Sequence, residues 1–356
     1  MGESAILNGV KHILIDEAQD LSLLQHRIIL TMFPKAKYTL LLDTNQAINP
    51  EINSVSVEKL SELYNTKKRT ISFEVFPPKK RDYPADQAIA QEEFDHTIRV
   101  VEELVDLKPS FISVTYGASG GSTDENTCKI SSHIESLGGT ALAHLTCISS
   151  SRDKIADEIN ALRSNKIENI LCLRGDLPRD VNADSKPHDF THAVDLIKAL
   201  RPSGFCLGGA CYPEGHPESV HLRDDIRHLK EKVDAGLDFL TTQMFFDNNI
   251  LYSYLAKIRS FGINVPVVAG IMPVINAKQI KRICSLTGTT LPPRFRAIVD
   301  RFGEKSLSMA SAGIAYATEQ IIDLIANGVD NIHIYTMNRP EIARAIMENI
   351  GGIIAD

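Results

Sequence analysis

At 356 residues the chain is long enough for one large α/β domain or two ordinary ones, and 43 % apolar residues allow a sizeable core. A formal charge of −7 excludes a general binder of nucleic acid or anionic membrane, which needs a basic face. No apolar run approaches the ~20 residues of a membrane helix, and the start "MGESAILNGVKH" lacks a signal-peptide pattern, so a cytoplasmic location is expected.

The first sixty residues differ from the rest. "HILIDEAQD" (12–20) reads as a short strand ending in Asp16 and Glu17. "LSLLQHRIILTMF" (21–33) has helical spacing, and "YTLLLD" (38–43) is a second strand ending in Asp43. Paired acids after a buried strand are how nucleotide hydrolases hold Mg²⁺ and orient water. With Gln46, the stretch resembles the acid-box region of superfamily 1 DNA helicases. Such acids work beside a phosphate-cradling Gly-Lys loop, and no Gly-Lys pair occurs in the chain. Residues 1–66 therefore read as a truncated, inert helicase-like segment and linker that can be removed with activity retained. An ATP- or nucleic-acid-interacting module is the alternative reading of that segment.

From residue 70 one unit recurs: a short apolar run, a loop and a longer amphipathic stretch. The runs are "ISFEVF", "FISVTYG", "ALAHLTC", "NILCLRGD", "FCLGGACYP", "FLTTQMFFD", "PVVAGIMP" and "NIHIYTMN". Helical patterns such as 86–104, 151–164 and 221–236 lie between them, and the seventh connection is long enough for an extra helix near "PPRFRAIVDRF". Strands alternating with helices imply parallel pairing, and eight such units predict a closed (β/α)₈ TIM barrel over 67–356, preceded by the small partial α/β segment.

In such a barrel chemistry gathers at the C-terminal rim of the strands. Polar residues crowd the ends of these runs: Glu74, Thr115, His144, Arg174, Asp176, Tyr212, Glu214, His216, Gln243 and Arg339. Glu74 sits in an apolar strand that Pro77 and Pro78 then stop. Apolar walls favour the neutral form of a carboxyl group, which suits a proton donor. The six cysteines form no Cys-x-x-Cys pair and read as reduced core thiols. His144 with Cys147 is too small a ligand set for a metal site, and no metal is expected.

The ordered motifs "SFEVFPPK", "SVTYGA", "HLTC", "LRGDLP", "YPEGHPE", "TQMFFD", "GIMPV" and "YTMNR" resemble the methylenetetrahydrofolate reductase family over about residues 70 to 352. The resemblance implies a FAD-dependent barrel that reduces 5,10-methylenetetrahydrofolate to 5-methyltetrahydrofolate, a step of one-carbon metabolism. It implies Glu74 as general acid and Asp176 as a catalytic charge beside flavin and pterin. FAD contacts carried over are Thr115, His144, Arg174, Gly175, Asp176, Ala193, Tyr212, His216, Asp225 and Lys232. Substrate contacts carried over are Gln243, Gln279 and Arg339.

Each residue type suits its role. Arg174 and Lys232 are cations for a diphosphate, Gly175 admits close backbone approach, and Asp225 and Lys232 share one helix face. Lys79, Lys80 and Arg81, on the mouth side, read as a solvated loop, with attraction of an anionic polyglutamate tail as the alternative. NADH or NADPH is the expected donor; Ile283 stands where some NADH-using members carry Phe, a departure that leaves an iron–sulfur partner protein as the alternative. An assembly of identical chains is expected. A flavin-free barrel lyase is the competing reading; it needs a Schiff-base lysine or metal triad on the strand ends.

Overall fold

The computed structural model describes residues 12–15, 37–40, 60–64, 68–78, 87–116, 124–148, 150–175 and 189–354. The chain divides into two compact units, 1–59 and 60–356. In the first, β1 (His12–Ile15) pairs in parallel with β2 (Lys37–Leu40), Ile13 opposite Tyr38. The helix expected at 21–33 and the acid-box residues Asp16, Glu17, Asp43 and Gln46 lie outside the described residues.

The second unit opens with a single helical turn, α1 (Leu60–Leu63), and continues into β3 (Thr70–Val75), α2 (Gln87–Val105) and β4 (Phe111–Val114). There follow α3 (Asp124–Ser136), β5 (Ala141–Thr146), α4 (Arg152–Ser164), β6 (Asn169–Leu173), α5 (Ala193–Leu200) and β7 (Cys206–Cys211). Next come α6 (Leu222–Asp234), β8 (Phe239–Thr242), α7 (Asn248–Ser260) and β9 (Val267–Ile271). Helices α8 (Ala277–Thr287), α9 (Pro293–Phe302) and α10 (Ser306–Ala326) fill the long seventh connection before β10 (Asn331–Tyr335) and α11 (Pro340–Ile354). Strands β3 to β10 pair in parallel in sequence order, and β10 closes on β3. This is the expected (β/α)₈ barrel. Among the described residues no helix is long and apolar enough to cross a membrane.

The period of two along each strand separates two cores. On β3, Ile71, Phe73 and Val75 join the large layer between strands and helices, while Ser72 and Glu74 face the barrel axis. At the N-terminal end of the axis, Phe111, Leu142, Leu171, Cys206, Phe239 and Val268 form one layer with Leu60. Leu60 is 2 % exposed, and its amide donates to Asn169 Oδ1 at 3.0 Å. Leu63 and Tyr64 pack on the same layer, the Tyr64 ring 5.2 Å from that of Phe239.

These contacts correct the domain boundary. It falls at 59/60 rather than 66/67, because α1 is the stopper of the barrel and not part of a linker.

Glycine makes room for side chains inside the axis. A Cβ at Gly270 would lie 2.4 Å from the Thr242 carbonyl oxygen and 2.7 Å from Tyr335 Oη. Tyr335 Oη in turn donates to that carbonyl at 2.6 Å. Gly270→Ala is expected to destabilise the fold by about 1–3 kcal/mol through overpacking, read from the urea midpoint. An unchanged midpoint would mean that the Thr242 carbonyl and Tyr335 both give way freely.

Candidate active site

Strand register brings the first group of polar residues together. Glu74 lies opposite Tyr335 on one side and Ser113 on the other. Past β3 the prolines end ladder pairing, and side chains from the end of β10 take over. Thr336 Oγ1 donates to the Glu74 carbonyl at 2.6 Å. Asn338 exchanges two bonds with the Phe76 backbone, at 2.9 and 3.0 Å, from a left-handed φ of 54°. An Asn tolerates that conformation better than most residues. Glu74 is thus held at the mouth by its own backbone.

The carboxylate stands between two imidazoles. Glu74 Oε2 is 3.8 Å from His144 Nε2 and 3.8 Å from His333 Nε2. Ser72 Oγ donates to the Ile332 carbonyl at 3.0 Å, so its 2.8 Å contact with His333 Nδ1 has the ring N–H as donor. Nε2 is then the acceptor, and Ser113 Oγ lies 3.3 Å from it. The His333 ring stacks on Phe111, centroids 5.8 Å apart.

Burial pushes the His144 pKa down from 6.5 to about 4, against an upward pull from Glu74. Desolvation is the largest cause, so the 3.8 Å approach is not an ion pair near neutral pH. His144 Nε2 is buried without a hydrogen-bond partner, a polar atom left for something entering the mouth.

This has a consequence for acid stability. The folded state disfavours protonated His144, so its contribution is complete above pH 6.5 and fades as pH falls toward 4. The loss is on the order of 3 kcal/mol at most. His144→Gln should flatten the fall in urea midpoint between neutral pH and that acid range. Equal slopes in the two proteins would assign acid sensitivity elsewhere.

A second feature opens beside β6 and β7. A cavity of about 370 Å³ is lined by Arg174, Ala193, Tyr212, His216, Asp225 and Lys232 among others. Lys232 comes from the last turn of α6, and its Nζ donates to the Ala210 carbonyl at 2.8 Å. Burial lowers its pKa, while Cys211 and Asp225 pull it up. Asp225, two turns earlier, is raised by burial and lowered by Lys232. The turn 212–216 closes with Gly215 N donating to the Tyr212 carbonyl at 3.0 Å, and Gly215 has φ +91°. It sets the Tyr212 and His216 rings edge to face, 4.7 Å apart. Burial lowers the pKa of His216.

Six of the ten residues expected around FAD therefore share one cavity. Three of the others fall elsewhere. His144 sits with Glu74. Thr115 follows β4, its amide bonded to the Val75 carbonyl at 3.0 Å. Gly175 has φ +86°, and a Cβ there would meet Thr146 and Ile148 at 3.0 Å. Asp176 and the cluster Lys79, Lys80 and Arg81 lie outside the described residues.

The expected substrate contacts occupy three consecutive rim positions. Gln243 follows β8, its Oε1 accepting from Met244 N at 3.0 Å. Gln279, in the first turn of α8 after β9, lines a small cleft with Met272 and Met337. Arg339, after β10, is half-exposed and paired with Glu341.

A family profile described as methylenetetrahydrofolate reductase matches residues 59–351. The chain belongs to the methylenetetrahydrofolate reductase family. A Pectobacterium carotovorum relative named 5,10-methylenetetrahydrofolate reductase is 34 % identical over 283 residues, 79 % of this chain and 90 % of that protein. The Arabidopsis thaliana protein named methylenetetrahydrofolate reductase (NADH) 1 is 32 % identical over 309 residues, 83 % of this chain. The chain spans only about half the length of that plant relative and of those from rice and maize.

Among solved structures, an uncharacterized Clostridium thermocellum protein aligns over 83 % of this chain and 98 % of its own, with TM-score 0.55 and 14 % identity. That likeness carries the barrel fold alone. The family match begins at residue 59 and so includes α1, in line with the corrected boundary; it leaves residues 1–58 outside, and the helicase resemblance expected there is not supported.

Against this family background several mouth residues had gone unnoticed in the sequence. His333, Ser72 and Ser113 surround Glu74. Their signal was parity: Ser72 shares the face of Glu74, and His333 that of Tyr335. Glu218, His228 and Glu231 also line the larger cavity, and Glu218 holds Arg174 in a two-pronged pair at 2.6 and 2.7 Å. Among the described residues no group of three His, Cys, Asp or Glu is placed to hold a metal ion.

Proposed function

We propose that this chain is a FAD-dependent reductase that converts 5,10-methylenetetrahydrofolate to 5-methyltetrahydrofolate, with Glu74 as the general acid. The observation that carries the reading is a carboxylate held between two imidazoles, on the same rim as a cavity edged by Arg174 and Lys232. The relatives' names give its direction, and the names of the plant proteins favour NADH as the donor.

The donor set suits FAD. Arg174 and Lys232 offer charge to a diphosphate, Asp225 accepts from ribose hydroxyls, Tyr212 offers a ring face, and the orphaned His144 Nε2 offers a polar contact. Bound FAD would supply a hydride carrier between the reduced donor and the folate.

The chain's own residues supply protons and orientation. Glu74 delivers a proton to the folate amine that leaves when the five-membered ring opens, and the one-carbon unit becomes electron-poor. His144, kept neutral by burial, places no cation beside Glu74. The family resemblance assigns to Asp176 a negative charge that would favour the electron-poor carbon. Gln243, its Oε1 engaged by Met244, presents its amide N–H groups to a pterin acceptor. Gln279 takes a second polar edge of the pterin, and Arg339 pairs with a glutamate carboxylate after releasing Glu341.

The direct test is the absorbance spectrum of purified protein, followed by folate reduction with NADH, NADPH and reduced ferredoxin. Flavin bands and folate turnover are expected. A colourless protein that takes up no FAD would sink the reading and favour the flavin-free lyase. Lys232→Met should weaken FAD binding about tenfold or more by fluorescence titration, the scale of one charge-assisted hydrogen bond. Unchanged affinity would remove Lys232 from the site.

A further inference from the structure

We propose that Glu214 is a positioning residue that ties helix α8, which carries Gln279, to the turn that lines the larger cavity. Glu214 was conspicuous in "YPEGHPE", and neither the cavity nor the proton donor uses it. Its carboxylate accepts from Thr290 N at 3.1 and 3.2 Å and from Thr290 Oγ1 at 2.6 Å. One turn thus faces two ways: Tyr212 and His216 line the cavity, while Glu214 grips the segment between α8 and α9.

That segment is fastened a second time. Thr289 Oγ1 donates to the Met244 carbonyl at 3.4 Å, just past Gln243, and accepts from Thr287 Oγ1 at 2.9 Å. Helix α8 ends at Gly288, φ +72°, whose amide bonds the Cys284 carbonyl at 2.9 Å. Its start is capped by Asn276 Oδ1, which accepts from Lys278 N and Gln279 N at 2.9 and 3.1 Å. The helix between is anchored by Ile280, which is buried in a cluster with Met244, Met272, Val274 and Phe295. Removing the Glu214 tie leaves the C-terminal end of α8 held only by the longer Thr289 bond, while the cap at Asn276 stays. The helix can then tilt and move Gln279 against the mouth.

The inference rests on reading Gln279 as a folate contact, and the test separates the two. The full chain loaded with FAD is compared as wild type, Glu214→Ala, Glu214→Gln and Thr290→Val. We expect Glu214→Ala to raise the folate KM about tenfold, with FAD affinity within about threefold, as losing a hydrogen bond to a charged group predicts. Amide exchange over 284–291 should quicken while strand β7 stays protected. Glu214→Gln keeps an acceptor for Thr290 N and should recover most of the KM. The Ala and Val changes should be non-additive in a double-mutant cycle.

Unchanged KM and exchange in Glu214→Ala would overturn the proposal. So would a KM rise that Glu214→Gln fully reproduces, or a parallel loss of FAD affinity. A wild-type protein that binds FAD but does not reduce folate overturns the folate reading instead. The exchange contrast would then decide the tie alone.

Discussion

Glu74→Gln is expected to lower folate reduction by roughly 10²–10⁴-fold, the range for losing a positioned general acid. The amide has nearly the volume of the carboxyl group, and the backbone around it is held independently by Thr336 and Asn338. Geometry should therefore survive, and only the transferable proton is lost. Oxidation of the reduced donor with an artificial acceptor such as menadione asks for no protein acid, so it should stay within about threefold of wild type, each tenfold being about 1.4 kcal/mol. The two measurements divide one enzyme into two half-reactions.

The neighbours sharpen this expectation. With Glu74 neutralised, the upward pull on His144 vanishes, and desolvation leaves its ring neutral. No new charge enters the mouth. Folate reduction that survives in Glu74→Gln would dismiss the proton-donor role. Loss of both half-reactions would point to a damaged fold, which the thermal midpoint would reveal.

Much of the barrel was readable because its strands are buried on both faces. Such strands appear as unbroken apolar runs, and polar residues interrupt them only near their exits. What could not be read was which polar groups meet. Glu74 and His333 are far apart in sequence and touch because β10 closes on β3, with Tyr335 opposite Glu74. "NIHIY" by itself is one more buried strand, and the inward face of its His follows from barrel parity and closure. Arg174 illustrates the same limit. Residue type suggested a diphosphate partner, whereas the folded chain pairs it with Glu218 from the next rim loop. Any anion arriving there competes with an acid already in place.

The stopper at the other end of the barrel gives the second large effect. "LSEL" lies in a polar connection, and nothing in its pattern marks it as core, because its apolar partners come from different strands. Deleting residues 1–66 removes Leu60, Leu63 and Tyr64 and leaves Phe111, Leu142, Leu171, Phe239 and Val268 facing water. It also strips Asn169 Oδ1 of the Leu60 amide. Burial of two leucines and an aromatic ring is worth on the order of 5 kcal/mol. Whole domains are stable by only about 5–15 kcal/mol, so this deletion should aggregate or melt about 10 °C or more below the intact chain.

Deleting residues 1–58 keeps the stopper and should preserve the melting behaviour of the barrel unit. The contrast isolates α1 from everything before it. Leu60→Ala provides a milder version in the full chain, with an expected cost of about 2–5 kcal/mol in urea unfolding. If the two deletions melted alike, or if Leu60→Ala cost nothing, α1 would be a passive cover. The boundary at 59/60 would then mark contact without cohesion. The two ends of the axis do separate work: side chains at the strand exits hold a proton donor, and a single helical turn at the strand entrances keeps water out of the core beneath it.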